Sequence, residues 1–267
     1  MAITAEDICE YIESWAPVSW AEEWDRVGLQ FGALGAPIKH LGLSLELTPK
    51  VASWMLERQV DCLLTHHPVF FRPLKRLLAE DPWEGMVLEL IRAGKTVISY
   101  HTNLDAAPGG VTETLAEALG ISCEAPLRPC SPEEPRAGLG RVGRCDPPVP
   151  LSEMARRLGS LIRAPVAVVG EEREVSRVAL CAGSGWDLWP EVLSKGAEVF
   201  ITGEVKHHAA REAEVTGVSL LVSDHFAMEN FFWRRLARQV AEHFPGLTVS
   251  FFEESSPFKP HHIQGGG

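Results

Sequence analysis

The sequence predicts an α/β protein of two related lobes, each a mostly parallel or mixed sheet covered by helices. Three observations predict it. Apolar runs of four or five residues, such as Cys62-Leu63-Leu64-Thr65, recur and read as strands buried on both faces. Helix patterns stand between them, giving a β-α-β-α-β rhythm. A Pro-rich connection, residues 127–150, then separates a first lobe, residues 1–126, from a second lobe, residues 151–267, where the rhythm repeats.

The elements follow in order. Thr4 ahead of Ala5-Glu6-Asp7 offers an N-cap hydroxyl and first-turn acids; Ile8, Tyr11, Ile12 and Trp15 share a face, and Pro17 stops the helix. Val27–Gly32 and Leu41–Leu45 read as strands. Thr48-Pro49 starts a helix that runs to about Gln59, because Pro suits the first helical position. The strand Cys62–Thr65, a helix over 84–93 closed by Gly94, and the strand Thr96–Tyr100 complete the first lobe's pattern. In the second lobe we expect helices over 152–161, 189–194, 207–214 and 228–243. Strands are expected at 166–169, 178–181, 198–202, 219–222 and 248–252.

Bulk properties narrow the function. With 267 residues, the chain can bury a substantial core. Its net charge of −11 disfavours nucleic acid, which binds a basic face. No run of 18 apolar residues is present, so no membrane span is expected. The N-terminus lacks the basic and apolar blocks of a secretory signal. The six cysteines form no C-x-x-C pair, which predicts free thiols and a cytoplasmic location. The final glycines, with His261 and His262, read as a tail.

Three strand ends carry metal-ligand chemistry: Thr65-His66-His67-Pro68, Tyr100-His101-Thr102-Asn103-Leu104-Asp105, and Ser223-Asp224-His225-Phe226-Ala227-Met228-Glu229. Open α/β sheets bind ligands beyond the carboxyl ends of their strands, so all three are expected at one sheet edge, between the lobes. Pro68 forces His67 to be extended, which lets both neighbouring imidazoles turn to one site. The i, i+4 spacing puts Glu229 beside His225. Four imidazoles (His66, His67, His101, His225) and two carboxylates (Asp105, Glu229) suffice for two divalent ions; iron, zinc and manganese all suit such donors.

Softer candidates surround this set. Asp25 is either an acceptor behind a ligand histidine or a turn residue. Glu204, His207 and His208 follow a strand end and either line the cavity or play a structural part. Ala182-Gly183-Ser184-Gly185 lacks a P-loop lysine and a third fingerprint glycine, so it reads as a tight turn.

The same segments carry a resemblance. Trp24–Gln30, Leu64–Pro68, His101–Asp105, Ala182–Gly185, Ile201–His208 and Asp224–Glu229 are similar, in order, to the motifs of the Nif-three-like dinuclear metal-centre family. Its members are commonly called GTP cyclohydrolase 1 type 2 homologues. The resemblance implies two metal ions on His66, His67, His101, Asp105, His225 and Glu229. It also implies a homohexameric ring with the sites facing an interior cavity, in a short form without the family's inserted domain. Two positions depart from the family pattern: Arg26 replaces a usual Asn, and Asp224-His225-Phe226 replaces Gly-His-Tyr. The expected function is a dinuclear-metal-dependent hydrolase acting on a purine nucleotide, by ring opening of the GTP cyclohydrolase kind, or on a phosphoester. The alternative is a non-catalytic metal-binding ring for metal handling or protein interaction.

Overall fold

The computed structural model describes residues 2–258, so the tail with His261 and His262 lies outside the described residues. Thr4 opens helix α1 (Ala5–Glu13) in a capping box, its hydroxyl accepting from the Asp7 amide while the Asp7 carboxylate accepts from the Thr4 amide. Strands β1 (Gly28–Phe31) and β2 (His40–Ser44) follow. Helix α2 (Pro49–Glu57) is capped by the Thr48 hydroxyl and α3 (Pro82–Arg92) by the Asp81 carboxylate; strands β3 (Cys62–Thr65) and β4 (Thr96–Ser99) lie where expected. Two helices without a sequence expectation come next, α4 (Thr102–Ala106) and α5 (Val111–Ala118), and then strand β5 (Ser122–Ala125).

Residues 127–150 are largely strand rather than irregular connection: β6 (Arg128–Pro129), β7 (Gly138–Leu139) and the long β8 (Arg141–Pro150). Proline is tolerated there for a local reason. Pro147 and Pro148 fall where the register of β8 slips, between the pairs at Val149 and Arg144, so neither must donate to the ladder. Beyond it lie α6 (Leu151–Ile162), β9 (Ala167–Val169), β10 (Glu174–Cys181), α7 (Trp189–Ser194) and β11 (Val199–Thr202). The chain ends its regular structure with α8 (His207–Thr216), β12 (Ser219–Val222), α9 (His225–His243) and β13 (Thr248–Phe251).

The strands form two mixed sheets and a small β6–β7 ribbon, so the molecule is α/β as expected. The first sheet has the order β1-β4-β3-β2-β13, parallel except at β1. The second has the order β5-β8-β10-β11-β12-β9, with β10, β11 and β12 parallel. The sheets exchange strands across the expected boundary: β13 joins the first sheet beside β2, and β5 joins the second beside β8. Helix α9 makes the first exchange feasible. Its 19 residues span about 28 Å, enough to return the chain from the end of β12 to the far sheet.

Side-chain alternation sets the layers. Leu64 and Ile98 of the first sheet and Leu180, Ile201 and Leu221 of the second share a core with Met228, Phe232 and Trp233 of α9. Their neighbours in sequence face outward: Leu63 and Val97 pack with Val51 and Met55 of α2, and Phe200 and Leu220 pack with Trp189 and Val192 of α7. Helix α9 thus packs in this shared core with α1, α5 and α6, and its first turn lies at the carboxyl ends of the central strands.

Candidate metal centre

The site begins with backbone geometry. The amides of His66 and His67 both donate to the Leu45 carbonyl at 3.0 Å, which bends the chain just past β3. Two consecutive imidazoles therefore turn to the same side, where a continuing strand would send them to opposite faces. His101 stands at the N-cap of α4, and its carbonyl accepts from the Asp105 amide at 3.1 Å, placing Asp105 one turn further on. Helix α9 starts three residues earlier than expected, so His225 is its first residue and Glu229 lies one turn later; the Asp224 carboxylate caps the helix at the Ala227 amide.

These six side chains converge from three strand ends. The ring centroids of His66 lie 5.2 Å from His67 and 4.9 Å from His101, and His67 lies 5.7 Å from His225. Two groups have donor atoms within 4.8 Å of one another: His66, His67 and His101, and His67, His225 and Glu229. His67 belongs to both. Asp105 adjoins the first group, with Oδ1 3.6 Å from His66 Nε2.

A second ring of acceptors holds the imidazoles. His66 Nδ1 lies 3.1 Å from the Tyr100 carbonyl, His101 Nδ1 3.0 Å from Asp25, His225 Nδ1 2.8 Å from Glu204, and His67 Nδ1 3.4 Å from Glu46. A carbonyl or carboxylate can only accept, so each Nδ1 carries a proton. In its neutral form each imidazole would present the Nε2 lone pair to the centre, the tautomer needed for a ligand, whereas His67 Nε2 now faces Glu229 Oε2 at 3.1 Å and donates to it. The choice left open for Asp25 falls on the acceptor role. Glu204 plays the same part for His225. His207 and His208 stand exposed on the first turn of α8 and belong to neither group. Glu46 was not anticipated, although it follows the parallel strand β2 at the same sheet edge, where the strand-end rule would have found it.

A family model described as Duf34/NIF3 (NGG1p interacting factor 3) matches residues 3–257. The chain belongs to that family. It is 28% identical over 267 residues to the "GTP cyclohydrolase 1 type 2 homolog" of Streptococcus pneumoniae, covering 97% of this chain and 99% of that one. It is 32% identical to "NIF3-like protein 1" of Drosophila melanogaster, covering 84% and 77%. A solved Bacillus cereus protein related to NIF3 superposes with a TM-score of 0.90 at 21% identity, over 98% of this chain and all of the other.

The positions expected to depart from the family pattern, Arg26, Asp224 and Phe226, belong to neither donor group of this NIF3 chain. Arg26 donates to the carbonyls of Glu23 and Asp25. Phe226 lines a separate groove with Asp224, whose carboxylate also accepts from Ser256 Oγ at 2.7 Å. Gly183 explains the turn after β10. It has φ +74°, and a Cβ there would collide with Glu229 Oε1 and stand 3.3 Å from His225 Nε2. The turn brings the second sheet's backbone against the carboxylate.

The NIF3 cluster fits a cation. Among the described residues, buried His66 Nε2, Asp105 Oδ1 and His225 Nε2 have no hydrogen-bond partner. Native proteins seldom leave such atoms unpaired without an ion or water. His225 Nε2 is only 3.0 Å from Glu229 Oε2, but their alignment makes no hydrogen bond. Without a cation, protons supply the counter-charge. Burial opposes charge on His67 and His225, yet Glu229, with Glu46 and Glu204 behind, outweighs it and raises them to about 10 and about 9. Burial holds His66 down at about 3, against the pull of Glu229. Burial also raises the Asp105 carboxyl, with Glu229 adding to the effect. Burial would likewise raise Glu229, but His225 and His67 keep it well below the usual carboxylate range. A cavity of about 910 Å³ opens onto the cluster and is lined by His67, His101, Asp105, His225 and Glu229, among others.

Proposed function

We propose that this NIF3 protein is a dinuclear-metal-dependent hydrolase. Two divalent ions, iron, zinc or manganese, would be held by His66, His67, His101, Asp105, His225 and Glu229. One observation carries the reading: four imidazoles, each fixed at Nδ1, gather in two donor groups with Glu229, and with Asp105 adjoining, beside an open cavity. When bound, such ions lower the pKa of a water towards neutrality and stabilise charge growing on a carbonyl or phosphoryl oxygen.

The chain's own residues do the rest. Tyr100, Glu46, Asp25 and Glu204 fix the imidazole planes before any ligand arrives, so little reorganisation is needed. The cavity gives a substrate access to one side of the cluster, which a closed structural site does not need. Hydrolysis there adds the oxygen of water to an electrophilic carbon or phosphorus and its proton to the departing atom. The relatives' name favours opening of a purine ring; phosphoester cleavage suits the same donor set. A homohexamer and a cytoplasmic location belong to the same proposal. The first is supported by the family resemblance and the second by six free thiols.

The test is turnover of GTP, guanosine and simple phosphoesters by protein loaded with each metal, beside chelator-stripped protein and Asp105→Ala. Turnover that follows the metal supports the proposal. A full metal complement with no turnover of any of them favours a non-catalytic ring for metal handling.

A further inference from the structure

The mouth of the cavity has a composition that the metal centre does not require. Three large aromatic side chains stand at it, Trp24 (54% exposed), Phe71 (50%) and Trp83 (37%). Trp24 and Phe71 each meet the His101 imidazole edge-to-face, with ring centroids 5.8 and 5.9 Å away. Two aromatic rings thus flank one edge of the donor cluster. Large apolar side chains left in water beside a polar cavity mark a binding surface, and aromatic faces there select planar, π-bearing ligands.

The charge of the lining is equally selective. It contains Glu22, Glu46, Asp105, Asp187 and Glu229, and among the described residues no lysine or arginine. Arg128 reaches Asp187 at 2.9 Å but is also held by Glu191 at 2.6 Å. Two divalent ions would about neutralise the carboxylates, leaving no surplus positive charge for a phosphate chain. Phosphate sites ordinarily supply arginine, lysine or an uncapped helix N-terminus in addition to metal, and the helix ends at this cavity are capped, α2 by Thr48, α4 by Asp25 and α9 by Asp224. The turn Ala182–Gly185 provides little: the Ala182 amide is taken by Thr112 and the Gly185 amide by Thr202.

We infer that the cavity takes a planar nitrogen heterocycle without a phosphate chain, its ring received by Trp24 and Phe71 and its reactive edge turned to the metal centre. This rests on the hydrolase reading and decides within it for ring chemistry over phosphoester chemistry. The cavity volume of about 910 Å³ suits a fused ring with a sugar-sized substituent.

The test uses zinc-loaded full-length protein titrated with guanosine, GTP and glycerol phosphate, followed by tryptophan fluorescence and calorimetry. Guanosine is expected to bind about tenfold or more tightly than GTP, and glycerol phosphate not at all. Trp24→Ala and Phe71→Ala are each expected to weaken guanosine about five- to hundred-fold, because a stacked base contributes about 1–3 kcal/mol. Metal content and assembly mass should stay unchanged in both variants. Tighter binding of GTP or glycerol phosphate, no binding of guanosine, or an affinity indifferent to Trp24 and Phe71 overturns the inference. So does a change of assembly mass, which would make this face a subunit interface. Failure of the metal reading looks different: guanosine binding that depends on Trp24 in a protein that cannot be loaded with metal.

Discussion

Asp25 Oδ1 lies 3.0 Å from His101 Nδ1, and its other oxygen accepts from both the amide and the hydroxyl of Thr102. Burial would raise this carboxyl, but His101 and Thr102 hold it well below the usual range, so it is ionised and acts only as an acceptor. The carboxylate therefore fixes the proton on Nδ1 and the lone pair on Nε2. Asp25→Ala should weaken metal binding about 10- to 100-fold while leaving the six proposed ligands in place. A competition titration against a chelator of known affinity checks this; unchanged affinity would return Asp25 to a turn residue.

Gly183 makes a second prediction. Its positive φ and its contact with Glu229 both exclude a side chain. Gly183→Ala should cost about 1–3 kcal/mol in stability and displace the Glu229 carboxylate. Denaturant unfolding reads the first effect and metal content the second, with loss greatest at the group formed by His67, His225 and Glu229.

The proton inventory sets a pH dependence. His67 and His225 are raised to about 10 and about 9, so both carry protons that a metal must displace near neutrality. Apparent metal affinity should rise with pH through that range, by about tenfold per unit for each displaced proton. In the metal-free protein the sign is opposite. A raised histidine pKa stabilises fully below its unfolded value of about 6.5, and the contribution is lost as pH rises towards 9–10. The shift in Tm on adding zinc should therefore widen from pH 6.5 to 9. A shift that narrows would contradict the charge assignment.

Arg141 joins the two halves of the site's support. Its buried guanidinium donates to Glu113 and to the carbonyls of Ala106 and Ala107, directly after Asp105. Arg141→Ala leaves Glu113 and these carbonyls without it and should cost about 3–5 kcal/mol. Urea unfolding midpoints measure the loss. A cost within about 0.5 kcal/mol, the range of ordinary surface substitutions, would mean that the pair is not structural.

Much of this was legible in the sequence, for reasons particular residues make plain. Thr4 and Thr48-Pro49 announce helix starts because capping is local chemistry, whereas α3 starts at Pro82, two residues before the expected 84, on the Asp81 cap. The six candidate ligands were legible because buried parallel strands end in short polar turns. The fate of β13 was not: nothing in Thr248–Phe251 says which sheet edge it will meet, since pairing is settled by where α9 delivers it. Residues 141–150 misled because prolines usually break a ladder, and the register slip that admits Pro147 and Pro148 exists only once β10 is beside them. The strand-end rule reaches the position of Glu46, but its role depends on the bend that turns His67 towards it.

Metal content per chain tests the central claim most directly. Elemental mass spectrometry of protein purified without added metal, beside Asp105→Ala, should give about two equivalents of a divalent ion, reduced in the variant. Near-zero content that added iron, zinc or manganese fails to restore would contradict the dinuclear centre and the hydrolase built on it.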